Sequence, residues 1–116
     1  MEEAIAFIVR EPAKPAVEVR VNFGVFAGRN ATQAEIDDLA RALNDEVESF
    51  AVLAVERHEF SGDSETSLRQ VVIEVTEAYA GPEPEQLAER IVQRAERWAA
   101  ACIHDRADLG ELEPEL

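Results

Sequence analysis

The stretch that most constrains this chain is Ala16 to Gly28, AVEVRVNFGVFAG. Val17, Val19, Val21, Phe23 and Val25 fall on alternate residues, with Glu18, Arg20, Asn22 and Gly24 between them. A period of two is that of a strand with one buried and one polar face. We read it as the central strand and place the other elements around it.

Ala4 to Arg10 (AIAFIVR) reads as a short strand, with a flexible N-terminal arm as the rival reading. Two prolines make Glu11 to Pro15 a loop, short enough to return this strand antiparallel beside the central one. After Gly28 and Asn30, the run Thr32-Gln33-Ala34-Glu35 is a capping box. Ile36, Leu39, Ala40, Leu43, Val47 and Phe50 then repeat at helical spacing. Asp37, Asp38, Asp45, Glu46 and Glu48 occupy the other face.

Ala51 to Phe60 begins as a continuous apolar run and turns polar. Ser61 to Ser67 (SGDSETS) reads as a loop and Leu68 to Tyr79 as a further strand, together a β-hairpin. Val71, Ile73 and Val75 form its apolar face, with Gln70, Glu74 and Thr76 opposite. Gly81-Pro82-Glu83-Pro84 stops that strand and starts a helix. Leu87, Ala88, Ile91, Ala95, Trp98, Ala99 and Cys102 mark its buried face, and it is expected to end near His104.

The order (β)βαββα implies an α+β protein, a two-layer α/β sandwich with both helices on one face of an antiparallel-rich sheet. The layout resembles a ferredoxin-like sandwich lacking its last strand, whose edge the N-terminal strand would fill. The resemblance is architectural, covers roughly residues 4–104, and carries no site, because that arrangement hosts many unrelated functions. The expected division is one domain over 1–104 and an acidic tail over 105–116, with Leu109, Leu112 and Leu116 among its acids.

Composition narrows the functional classes. The chain of 116 residues is long enough for one core without disulfides or metals. One cysteine, Cys102, allows no intrachain disulfide and fits a reducing compartment, hence the cytoplasm. The N-terminus lacks the basic region of a signal peptide, and no apolar run approaches the roughly 20 residues of a membrane span. The net charge of −14 argues against nucleic-acid binding, since no counterion release would drive it.

Four constellations bear on function. His58 in ERHEF, grouped by alternation with Glu56 and Phe60 and with Glu18, Arg20, Gln70 and Glu74, is either a general base or an exposed strand residue, the second being favoured. Arg90, Arg94 and Arg97 share a helix face that either grips an anion or pairs with the acidic face of the first helix. Cys102 and Trp98 read as core. Phe26, Phe60 and Val72 are the apolar points of the outer sheet face and candidate anchors for a dimer, and AIAFIV is an unguarded edge.

No cofactor or metal site is expected. The leading expectation is a small, non-catalytic interaction module that self-associates, a dimer being favoured, with the tail available to a basic protein partner. The alternatives are a regulatory domain binding a small anion and, behind it, an enzyme using His58 with Glu56 or Glu74.

Overall fold

The computed structural model describes residues 4–10 and 16–112, with side chains as far as residue 103. The expected loop over Glu11–Pro15 and the side chains of the acidic tail lie outside the described residues. The elements are β1 (Ala6–Ile8), β2 (Val17–Val21), α1 (Phe23–Ala27), α2 (Gln33–Leu43), β3 (Ala51–Ser61), β4 (Ser64–Val75), α3 (Glu77–Ala80) and α4 (Pro84–Leu112). They build an α+β fold around a four-stranded sheet in the order β1-β2-β4-β3. Every neighbouring pair is antiparallel. β2 and β3 therefore run the same way, with β4 between them.

Alternation in β2 and β4 decides which face meets the helices. Val17, Val19 and Val21 sit opposite Val75, Ile73 and Val71. All six join one apolar cluster with Phe23, Leu39, Leu43, Leu87, Ile91, Ala95, Trp98 and Cys102. The helical spacing of α4 thus supplies the second layer, packed on β1 and β2, and α2 packs on α4. The capping box forms as written: the Glu35 amide donates to Thr32 Oγ1 at 3.2 Å, and Glu35 Oε1 accepts from the Thr32 amide at 2.9 Å.

The structure corrects several boundaries. The central strand stops at Val21, and Phe23–Ala27 is helical. Asn22 turns the chain. Its side-chain amide donates to the Ala4 carbonyl at 2.8 Å, and its Oδ1 accepts from Gln70 Nε2 at 2.8 Å. Phe23 is then 1% exposed while Val25 is 47% exposed, so the continued alternation belongs to two different elements. Phe26 consequently lies on α1 and not on the sheet.

The first long helix ends at Leu43 rather than running on to Phe50. The amides of Glu46 and Val47 both turn back to the Leu43 carbonyl, which buries Val47 beyond the helix. The second strand of the hairpin ends at Val75, and Glu77–Ala80 is a helical turn. The backbone of α4 continues past His104 to Leu112.

The largest correction concerns the hairpin. Ser61 pairs with Ser64, so the turn is only Gly62-Asp63, and most of SGDSETS is strand. Gly62 has φ +61°, the left-handed conformation a two-residue hairpin turn needs and glycine supplies without strain. A loop over Ser61–Ser67 would set Leu68 opposite Phe60, whereas Glu65 is there. An odd shift in register moves every side chain to the other face. Glu56, His58 and Phe60 therefore share the face of Val71 and Ile73, not that of Glu18, Arg20, Gln70 and Glu74.

Candidate functional site

The arginine stripe on α4 is divided by its neighbours. Arg90 Nε and Arg94 Nε each donate to one oxygen of Glu46, both at 2.9 Å. Asp45 lies 3.9 Å from Arg94. The turn after Leu43 thus aims a carboxylate between two guanidinium groups. Arg97 does not join them: it borders a shallow groove with Ile5, Gln93, Glu96 and Ala100.

His58 stands on the ribbon formed by the outer halves of β3 and β4, about half exposed. Its Nδ1 lies 2.8 Å from Glu65 Oε2 and 3.1 Å from Ser67 Oγ, and its Nε2 lies 3.7 Å from Glu56. A relay from hydroxyl through imidazole to carboxylate uses the two ring nitrogens for different partners. Here the hydroxyl and the carboxylate within hydrogen-bond distance, Ser67 and Glu65, meet the same nitrogen, and Glu56 at 3.7 Å from the other is too far for a hydrogen bond. Glu74, the other partner expected for His58, is on the opposite sheet face, beside Ala51. Among the described residues, no group of three His, Cys, Asp or Glu side chains is placed to hold a metal ion.

The three apolar anchor residues are not brought together. Phe26 projects from α1, Phe60 is 72% exposed near the hairpin turn, and Val72 is 6% exposed in the middle of the outer sheet face. Around Val72 lie Leu53 and Val55 of β3, ringed by Glu18, Arg20, Arg57 and Glu74. Glu18 faces Glu74 directly across the ladder, a like-charge pairing that Arg20 eases by donating from Nε to Glu18 at 2.7 Å.

Two features escape sequence reading. The first is a clasp on the far side of the core. Arg29 donates from both terminal nitrogens to Glu35, at 2.9 and 2.8 Å, and its guanidinium lies 5.3 Å from the centre of the Phe23 ring. Trp98 Nε1 donates to the Glu35 carbonyl at 2.7 Å. Cys102 lies buried on the same face of α4. The Arg29 hydrogen bonds, with those from Thr32, hold the Glu35 carboxyl at about 2, well below its usual 4.5.

A carboxylate lowered in the folded state adds stability above its ordinary pKa and loses it as pH falls toward the folded value. Thermal midpoints should therefore drop between about pH 4.5 and 2, and Glu35→Gln, less stable at neutral pH, should show a flatter curve across that window. Equal slopes in the two proteins would remove the clasp as the cause.

The second feature is the edge of β3. This strand pairs with β4 on one side, and no described strand lies on the other. Its first residues, AVLAV, carry no charge, yet Ala51, Leu53 and Ala54 are exposed and Val52 and Val55 only half-buried. The apolar run was visible in the sequence. Its place at an open edge was not, because that depends on β4 inserting between β2 and β3.

Comparison of the chain with protein-family models, with curated proteins and with solved structures returns no match. Among the described residues, no helix is long and apolar enough to cross a membrane.

Proposed function

We propose that this chain is a non-catalytic interaction module that works by pairing with a second copy of itself. The observation that carries this reading is the uncharged, exposed edge at Ala51–Val55. An edge of this kind presents a row of backbone donors and acceptors beside apolar side chains, and natural sheets ordinarily guard it with charge or proline. The strand order supports the finer architectural reading, a ferredoxin-like sandwich in which β1 takes the edge beside β2. A buried lone cysteine fits residence in the cytoplasm.

The rival readings have less behind them. Glu46 already occupies Arg90 and Arg94, which weighs against an anion site on that stripe. His58 on an exposed ribbon, with both of its hydrogen-bond partners on one nitrogen and Glu56 beyond hydrogen-bond distance of the other, weighs against catalysis.

Native mass spectrometry of the whole chain tests the proposal. A mass of two chains with nothing added is the expected result. A single-chain mass at every concentration tried would reject self-association, and a discrete bound ligand would move the reading to the anion-binding class.

A further inference from the structure

The geometry points to one way for two copies to meet: β3 pairs antiparallel with β3 of a second copy about a two-fold axis at Leu53, fusing two four-stranded sheets into one. This rests on the self-association reading and adds its seam and register.

The backbone is prepared for it. The β1 side fixes the parity: the Val9 amide donates to the Glu18 carbonyl, so even residues of β2 bond β1 and odd ones bond β4, which leaves the even residues of β4 to bond their odd-numbered partners on β3. Leu53, Val55 and Arg57 thus spend their amides and carbonyls on β4. Val52, Ala54, Glu56 and His58 aim theirs at the open edge.

Charge selects the register. A chain of net charge −14 repels its own copy, so a stable seam has to lie where charge is absent. Ala51–Val55 is the longest uncharged run in either edge strand. A two-fold axis perpendicular to the sheet keeps each face on its own side and passes through a residue.

Centred on Leu53, Ala51 meets Val55, Val52 meets Ala54, and Leu53 meets its counterpart, with each small side chain opposite a larger one. Centred on Val55, Leu53 meets Arg57 and Ala51 meets Glu59. Centred on Arg57, two guanidinium groups meet. Centred on His58, Arg57 meets Glu59, but the Ala51–Ala54 edge stays in water. Strand addition of this kind draws its affinity from main-chain hydrogen bonds and its specificity from alternate side chains.

Three full-length variants test the seam by solution mass and by cross-linking. Ala54→Pro removes an amide that faces the open edge, so β4 loses no bond and proline is tolerated there. It is expected to raise the dimer dissociation constant at least about 30-fold, the scale of a central interface residue lost on both copies, with the circular dichroism spectrum retained. Leu53→Cys is expected to form a disulfide-linked dimer on mild oxidation, with the parent chain as the control for Cys102. Val55→Cys, which this register sets opposite Ala51, is expected not to link.

A dimer that survives Ala54→Pro, or one that links through Val55→Cys and not through Leu53→Cys, leaves self-association standing and overturns this seam. A parent chain that is monomeric throughout overturns both. Should Ala54→Pro fail to fold, the two cysteine variants decide the register between them.

Discussion

Replacing Phe23 by alanine is expected to cost about 3–5 kcal/mol of folding stability, the range for emptying a buried aromatic site. The ring is among the largest fully buried side chains, and its centre lies 5.2 Å from that of Trp98 at an interplanar angle of 36°. Its face also supports the Arg29 guanidinium. Truncation therefore opens a cavity between α1 and α4 and loosens the arginine that holds Glu35. Against a typical total of about 5–15 kcal/mol, the variant should sit near the edge of folding. Urea titration is the measurement: the midpoint should fall with the slope unchanged. A loss below about 1 kcal/mol, within the reach of an ordinary surface change, would mean that α1 is not docked as described.

The second large effect is expected at Gly24, where two principles oppose each other. Alanine in place of a helical glycine gains up to about 1 kcal/mol in backbone propensity. Here, however, an added Cβ would lie 2.8 Å from Arg69 Cβ, 3.0 Å from the Arg69 carbonyl oxygen and 3.3 Å from the Arg69 nitrogen. Two of those three atoms are backbone of a paired strand, which cannot swing aside as a flexible side-chain tip would. Overpacking of this kind costs about 1–3 kcal/mol, so Gly24→Ala should destabilise despite the better propensity. A thermal midpoint at or above that of the parent would show that β4 yields at Arg69.

These two positions also show where the sequence stops being legible. The β2 core face, the Thr32 capping box and the buried stripe of α4 follow from local pattern, because a two- or 3.6-residue period persists over enough residues to be counted. α1 does not. Five residues hold little more than one turn, and Phe23 and Val25 happen to extend the alternation of the strand before them. What ends the strand is Asn22, tied to Ala4 and Gln70, far away in sequence.

The hairpin turn was nearer to hand. Gly-Asp is a recognised two-residue turn pair, but hydroxyls and acids on both sides made the whole of SGDSETS look like loop. That misplacement carried His58, Glu56 and Phe60 to the wrong face. The pairing of Arg90 and Arg94 with Glu46 and Asp45 was legible, since both acids stand in the acidic set expected to meet the stripe; that one carboxylate serves both arginines was not. The Arg29–Glu35–Trp98 clasp has no local period, since its members are brought together by the packing of α2 on α4.

The ladder between β2 and β4 ends at Val21 and Val71, while that between β3 and β4 runs on to the Ser61–Ser64 pair. Beyond Arg69, against which α1 packs, the ribbon has two strands, and its side chains are mostly exposed. Two-stranded ribbons are marginal in water without a third strand or a covering layer. Two levels of cooperativity are the expected result. The outer ribbon can fray and re-zip through sub-global openings that leave the body intact, and its amides would exchange with solvent at rates set by that local equilibrium rather than by global unfolding.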